Sequence, residues 1–225
     1  MIGGCMSEPA ASPLALNLVE EINHRVVNEY SEAIATLHLA ASRSDDDRIK
    51  RELDRVTGRL HDHAQAHRAL MPPRADADAN LADYVGRICN SFAQATLAER
   101  GILLMLDAAD ITLSADRCWR LGLVVAELVR NAARHGRFED AGRISVRIAE
   151  NAGDVTCIVR DTGTPRPAAV PGRGQHLIRS LVDDLAGEVQ WAFTPEGCAA
   201  FVRVPIAGGR PALDARALEL AGPKA

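Results

Sequence analysis

The sequence predicts an α+β protein in which an N-terminal helical hairpin precedes an α/β sandwich. Two stretches, residues 14–41 and 44–70, repeat apolar residues at helical spacing and are joined by a short loop. Residues 71–79, which contain Pro72-Pro73, separate them from the rest of the chain. Strand-like alternation then interleaves with helical patterns, which is typical of a mixed sheet with helices on one face.

Composition narrows the class of protein. The chain has 225 residues, enough for one large or two small domains, and 47% of them are hydrophobic, enough for a real core. A net charge of −4 argues against a general nucleic-acid binder. Neither a membrane-length apolar run nor a signal peptide is present. Five scattered cysteines without a C-x-x-C pair favour a reduced, cytoplasmic protein without structural zinc.

The first helix is expected to start at Ser12-Pro13, with Ser as cap and Pro in the first turn. Glu21 and His24 fall on its polar side, so His24 should lie in water in mid-helix. The opposite side carries an apolar seam near heptad spacing. That seam consists of Ala15, Val19, Ile22, Val26, Ala33, Leu37 and Ala40.

Ser44 is expected to cap the second helix, with Asp47 closing a capping box. The seam of this helix includes His63 and His67, which we interpret as bundle histidines with satisfied hydrogen bonds. A single hairpin buries little apolar surface, and two hairpins complete a four-helix bundle. The sequence therefore predicts a homodimer.

The second domain should begin with a helix at 81–99, capped by Asn80. Its later elements are strands at 102–106 and 111–113, a helix from Ser114, a hairpin near 144–159, a helix at 175–186 and strands at 188–193 and 198–205. The predicted division is a loose N-terminus at 1–13, a hairpin domain at 14–71, a sandwich domain at 80–206 and a tail at 207–225.

Polar residues on the helix after Ser114 form one row: Glu127, Asn131, Arg134 and His135. The opposite side is apolar and should be buried. A carboxylate, an amide and two basic groups in one row suit a metal and a polyphosphate, although a row considered alone also fits a solvated helix face.

Two glycine motifs follow this helix in the chain. Asp161-x-Gly163 comes at a strand end, where an ordinary turn is the simplest alternative. Gly172-x-Gly174 comes immediately before a helix, a position that suits phosphate binding. Each motif considered alone is weak evidence for a binding site. The informative feature is that the polar helix row, the Asp-x-Gly motif and the Gly-x-Gly motif follow one another in this order.

These motifs, over roughly residues 80–205, resemble the GHKL ATPase superfamily, which includes gyrase and the sensor histidine kinases. Glu127-x-x-x-Asn131-Ala132-x-x-His135 resembles the N-box, Asp161-x-Gly163 the G1 box and Gly172-x-Gly174 the G2 box. The resemblance implies a GHKL-type ATP-binding domain that uses ATP and Mg²⁺.

The same resemblance implies a role for each site residue. Asn131 would ligate Mg²⁺, Glu127 would orient a metal-bound water, and Asp161 would accept a hydrogen bond from the adenine amino group. The remaining residues would approach the adenine ring or the phosphates: Arg134, His135, Gly163, Gly172 and Gly174.

The hairpin resembles the H-box of the HWE-like histidine kinases in Glu21-Ile22-Asn23-His24-Arg25-Val26-Val27-Asn28. The resemblance implies that His24 is autophosphorylated and passes the phosphoryl group to an Asp of a response regulator. A neutral imidazole carries a free lone pair on one ring nitrogen, so an exposed histidine can act as a nucleophile. Arg25 rather than an acid follows His24, which leaves Glu20 or Glu21 as the candidate base.

Some features depart from the family pattern. Thr164-Pro165 follow Gly163 where a second glycine is usual, and the lid to Gly172 is short and rich in Pro. The favoured hypothesis is a stand-alone histidine kinase without a fused sensor or receiver domain. The alternatives are a phosphotransfer relay with a degenerate ATP-like domain, and an anti-sigma serine kinase or adapter of the same superfamily.

Overall fold

The computed structural model describes residues 13–73, 78–138, 142–164 and 173–206. Several predicted features lie outside the described residues: the loose N-terminus before Pro13 with its Ser12 cap, the lid residues 165–171, Gly172 and the tail at 207–225. Within the described ranges, the predicted order of a hairpin followed by an α/β sandwich is confirmed.

The hairpin consists of α1 (Pro13–Arg43) and α2 (Asp47–Ala69), which pack along each other. The predicted Ser44 cap is wrong by two residues. Asp46 caps α2, since its carboxylate accepts a hydrogen bond from the Arg48 backbone N–H at 2.7 Å. Ser44 instead stabilises the loop, where its hydroxyl accepts from the Asp46 N–H at 3.3 Å.

The apolar seam of the hairpin is only partly covered within one chain. Ala41 of α1 and Ala64 of α2 are buried. Ile22 of the predicted seam is 50% exposed, however, and two further apolar side chains of the hairpin, Leu39 and Ile49, are exposed to a similar degree. A hairpin of two helices has too few facing side chains to cover both sides of its seam.

The sandwich domain contains a five-stranded sheet in the order β2-β4-β5-β7-β6, in which β2 and β4 are parallel and the other pairs antiparallel. Its strands are β2 (Leu103–Ala108), β4 (Arg143–Asn151), β5 (Asp154–Asp161), β6 (Glu188–Thr194) and β7 (Gly197–Pro205). Two short strands, β1 (Asp78–Asn80) and β3 (Thr112–Ser114), form a separate antiparallel pair.

Three helices pack against one face of the sheet, namely α3 (Leu81–Phe92), α4 (Ala115–His135) and α5 (Arg173–Asp184). The facing strands alternate as predicted, because every second side chain of a strand points to the same side. The sheet's share of the core includes Ile144, Val146, Ile148, Val155, Cys157, Val159, Val202 and Val204.

The helix α3 is shorter than the predicted helix over 81–99. A π-helical turn (Ala93–Leu97) and a 3₁₀ turn (Ala98–Arg100) continue the chain after Phe92. Gly101 then adopts a φ of 64°, which favours glycine and ends the helical path. The helical periodicity continues through these turns, which is why the sequence pattern overestimates the length of α3.

The end of α2 is held against the sandwich by two hydrogen bonds to backbone carbonyls. The Trp119 indole N–H donates to the Leu70 carbonyl at 2.9 Å, and the Tyr84 hydroxyl donates to the Met71 carbonyl at 3.2 Å. Both aromatic side chains are buried. The hairpin therefore meets the sandwich at a defined junction.

In the part of the chain that the structure describes, no helix combines the length and the apolar character needed to cross a bilayer.

Candidate active site

The helix α4 carries the polar row that the sequence singled out. Its opposite side is buried as predicted, at Leu121, Val125, Leu128 and Ala132. The Glu127 side chain is only 16% exposed and forms an ion pair with Arg130, one turn further along the helix. Burial on one side fixes the rotation of α4, so Glu127 and Asn131 share a side away from the core.

Gly174, near the start of α5, lies directly over Glu127 and Asn131. A Cβ atom at Gly174 would be 3.2 Å from Asn131 Oδ1 and 3.4 Å from Glu127 Oε2. The absence of a side chain thus leaves room between the start of α5 and the oxygens of α4. The structure brings the predicted N-box and the second glycine of the predicted G2 box together.

The start of α5 has the geometry of an anion site beside those oxygens. The helix begins at Arg173, so the unpaired backbone N–H groups of its first turn lie in this region. Such groups carry partial positive charge and bind phosphates. Gly172, the other predicted G2 glycine, lies outside the described residues.

Asp161 ends β5 on the face of the sheet that the helices cover, and it is only 4% exposed. Its carboxylate accepts hydrogen bonds from the backbone N–H groups of Gly163, at 2.9 Å, and Cys198. Burial is the main cause that raises the pKa of Asp161, and the two hydrogen bonds partly oppose it. A buried carboxylate of this kind favours a ligand that donates an N–H.

Gly163 brings the end of β5 against the end of α4. A Cβ atom at Gly163 would be 2.6 Å from the Cα atom of Gly136, closer than real Cβ contacts come. Arg137 and Thr164 form an antiparallel bridge there, with N–H to carbonyl distances of 3.3 and 3.0 Å. The predicted G1 motif therefore packs directly against the end of the helix that carries the predicted N-box.

Arg134 and His135 occupy the last turn of α4 and are exposed. Cationic side chains are favourable at this end of a helix because of its dipole. Their position places two basic groups beyond Asn131 on the same helix.

His24 lies in the middle of α1, and its side chain is 62% exposed. The Oε1 atom of Glu20 is 3.9 Å from His24 Nε2. Glu21, the other candidate base, instead binds Arg25, with Glu21 Oε1 at 2.5 Å from Arg25 Nη2 and 3.1 Å from Arg25 Nε. Glu20 is thus the candidate whose carboxylate faces the imidazole.

Sequence reasoning missed two contributions to the site. Cys198 N–H supports the Asp161 carboxylate from β7, and Arg130 pairs with Glu127. The first depends on how β5 and β7 pair, which no local pattern reveals. The second had a signal, because residues three apart on a helix are neighbours and Glu127 and Arg130 have opposite charges.

The residues present suit ATP and Mg²⁺. Amide and carboxylate oxygens are hard ligands appropriate to Mg²⁺, and Asn131 Oδ1 lies close to Gly174 at a helix start. Asp161 supplies a buried acceptor on the neighbouring wall. The site thus combines oxygen ligands for a metal, backbone N–H groups for phosphates and a buried carboxylate for an N–H donor.

Both the hairpin and the sandwich match models of known protein families. A family model described as histidine kinase matches residues 21–96, and one described as histidine kinase-like ATPase domain matches residues 93–198. Together they cover the hairpin from just before His24 and most of the sandwich. Because both models describe parts of kinases, the phosphotransfer-relay alternative is not favoured.

Two relatives align with most of this chain. Blue-light-activated histidine kinase 1 of Erythrobacter litoralis is 26% identical over 196 residues, covering 84% of this chain and 53% of the relative. Sensor histidine kinase PdtaS of Mycolicibacterium smegmatis is 28% identical over 198 residues, covering 84% of this chain and 39% of the relative. The chain thus spans about half or less of the length of these curated relatives.

The architecture is also similar to a solved structure, the histidine kinase domain of the blue-light activated histidine kinase EL346 of Erythrobacter litoralis. The TM-score is 0.56 at 20% identity, covering 78% of this chain and 96% of that chain. This likeness concerns the fold, namely a helical hairpin followed by a GHKL-type α/β sandwich. With a histidine kinase domain over its hairpin and a histidine kinase-like ATPase domain over its sandwich, the chain has the two domains of an HWE-like histidine kinase core.

Proposed function

We propose that the chain is the core of a two-component histidine kinase, which uses ATP and Mg²⁺ to phosphorylate His24 and then transfers the phosphoryl group to an Asp of a separate response regulator. The observation that carries the proposal is the approach of Gly174 to the oxygens of both Glu127 and Asn131. The exposure of His24 supports it, because the nucleophile must be reached by the nucleotide and later by the receiver.

The residues of the sandwich bind and orient the nucleotide. Asn131 would ligate the metal through Oδ1, and Glu127 would orient a metal-bound water. Arg134, His135 and the backbone at Gly174 would neutralise the phosphates. Asp161 would hold the adenine amino group beside Gly163, and Mg²⁺ would supply charge neutralisation at the phosphates. Phosphoryl transfer depends mainly on such positioning and charge stabilisation.

The chemical step needs a lone pair on the imidazole. A ring nitrogen of His24 forms the new N–P bond as the bond between the γ-phosphorus and the bridging oxygen breaks, and ADP leaves. The proton on the other ring nitrogen then passes to a base. Glu20 is the better candidate, since its carboxylate faces the ring while Glu21 pairs with Arg25.

Phosphorylation of His24 gives the direct test of the proposed function. The full chain incubated with γ-labelled ATP and Mg²⁺ should take up an acid-labile, base-stable label, and His24→Gln should take up none. His38→Gln is the matched control, because His38 is another exposed histidine of α1. Equal labelling of wild type and His24→Gln would overturn the assignment.

The two acidic neighbours of His24 can be distinguished by one pair of variants. We expect Glu20→Gln to lower the rate of autophosphorylation by about 10²-fold or more, the usual contribution of a positioned acid or base. Glu21→Gln should cost much less, because it removes only an exposed ion pair with Arg25. Single-turnover labelling at saturating ATP gives both rates, and a larger loss in Glu21→Gln would reverse the assignment.

We further propose a homodimer in which a second hairpin covers exposed apolar side chains of the first, namely Ile22, Leu39 and Ile49. A four-helix bundle buries apolar side chains that a single hairpin leaves in water. The histidine kinase family implies dimerisation and response-regulator partners in general. The use of ATP implies a cytoplasmic location for these two domains.

A further inference from the structure

A cavity of about 330 Å³ lies between the hairpin and the sandwich. The α2 wall contributes His63 and His67, and the α4 wall contributes Arg130. His63 and His67 were expected to be satisfied bundle histidines; both pack on Tyr30 of α1 within the hairpin and also line this cavity. Arg130 thus lines the same cavity as the two histidines and also forms an ion pair with Glu127 on α4.

The His67 imidazole is held in a fixed place in this junction. The Tyr30 ring lies against it at a centroid distance of 5.7 Å, and stacks on His63 at 6.4 Å. Burial lowers the pKa of His67, and the nearby charge of Arg130 lowers it further. The imidazole is consequently neutral at physiological pH.

One atom of this ring is unsatisfied. The Nδ1 atom of His67 is buried and has no hydrogen-bond partner among the described residues. In the neutral tautomer that carries its proton on Nε2, Nδ1 is the nitrogen that accepts a hydrogen bond. An acceptor left unpaired in a buried position is unfavourable, and the Arg130 guanidinium is the cation on the opposite wall.

We propose that Arg130 is a positioning residue that exchanges between Glu127 on its own helix and His67 Nδ1 on the hairpin, and thereby couples the position of the hairpin to the availability of Glu127. In the arrangement described here, Arg130 holds Glu127. When α2 presents His67 to the guanidinium, the Glu127 carboxylate is released towards the nucleotide site. This inference rests on the proposed function for its effect on rate.

The exchange itself can be measured without kinase activity, by the ¹⁵N resonance of His67 Nδ1 in the full chain at fixed pH. Glu127→Gln weakens the competing ion pair, so Arg130 should move to His67 and shift that resonance. The shift should disappear in Glu127→Gln combined with Arg130→Met, while the exposed His61 should be unaffected in all variants. An unchanged His67 resonance in Glu127→Gln, or the same shift in the double variant, would overturn the exchange.

The coupling to catalysis is tested by a double-mutant cycle. His67→Phe removes the second acceptor and should lower kcat for autophosphorylation about five- to tenfold, with little change in KM for ATP. In an Arg130→Met background, His67→Phe should have no further effect. An equal loss in both backgrounds would contradict the coupling.

Arg59→Ala is the matched control for the cycle. Arg59 of α2 forms an ion pair with Glu99 of the sandwich at 3.2 Å, so it joins the same two units without approaching Glu127. A loss of kcat in Arg59→Ala equal to that in His67→Phe would attribute the effect to domain contact in general and overturn the inference. Lack of labelling in every chain, wild type included, would refute the proposed function, whereas the ¹⁵N measurement would still decide the exchange.

Discussion

Replacing Asn131 with alanine is expected to lower the affinity for ATP·Mg²⁺ by about 100-fold and to abolish measurable autophosphorylation. Asn131 Oδ1 is the neutral hard oxygen beside the start of α5. Alanine removes this ligand while keeping the helix, because it has the highest helix propensity. Titration of the full chain with ATP by calorimetry, with and without Mg²⁺, measures the loss.

Asn90→Ala is the matched control, since Asn90 is an exposed residue of the neighbouring helix α3. It should bind ATP as the wild type does. Asn131→Asp, which keeps an oxygen ligand and adds a charge, should retain more Mg²⁺-dependent binding than Asn131→Ala. If Asn131→Ala bound ATP·Mg²⁺ as tightly as the wild type while remaining folded, the proposed metal ligand would be wrong.

Replacing Gly163 with alanine is expected to reduce the free energy of unfolding by about 1–3 kcal/mol, the usual cost of overpacking, and to remove most nucleotide binding. The added Cβ would meet backbone atoms of Gly136 and Arg137, at 2.6 and 2.9 Å. Backbone atoms cannot rotate away, and the Arg137–Thr164 bridge holds the two segments together. The end of β5, which carries Asp161, must then move away from the end of α4, and the residues proposed to bind the nucleotide move apart. Chemical denaturation and ATP titration measure the two effects.

Gly86→Ala is the control for adding a methyl group to a glycine of the same domain. Gly86 lies in α3, and a Cβ there would meet only Leu106 Cδ2 at 3.8 Å, an ordinary contact. Alanine should leave stability unchanged or raise it by up to about 1 kcal/mol, because it favours the helix. Comparable destabilisation by Gly86→Ala and Gly163→Ala would show that the close approach at Gly136 is not the cause.

The elements of the fold were predictable wherever hydrophobic period and turn chemistry agreed. The alternation at Ile144, Val146 and Ile148 predicts a half-buried strand, and the structure buries these three side chains. The Asn80 cap also followed from sequence, and its side chain accepts the Asp83 N–H at 2.9 Å. Local rules work here because each depends on residues only a few positions apart.

The errors arose where several local solutions compete. The acidic run after Ser44 offers more than one cap, and Asp46 is selected because its carboxylate reaches the Arg48 N–H. The helix predicted at 81–99 changes to a π-helical turn after Phe92 while its apolar period continues. Period alone does not distinguish these helical forms.

The pattern of residues along the chain was enough to predict the classes of residue in the site and the elements that carry them. It placed Glu127 and Asn131 on one side of a helix, Asp161 at a strand end and His24 on an exposed helix face, since each placement follows from a short repeat. Which of these residues meet depends on the packing of elements that are distant in the chain. Gly174 reaches Asn131 because α5 packs on α4, and Arg130 shares a cavity with His63 and His67 because α2 packs on the sandwich. Such contacts join residues far apart in the chain, and the physical reason for them is the burial of shared apolar surface rather than any local preference.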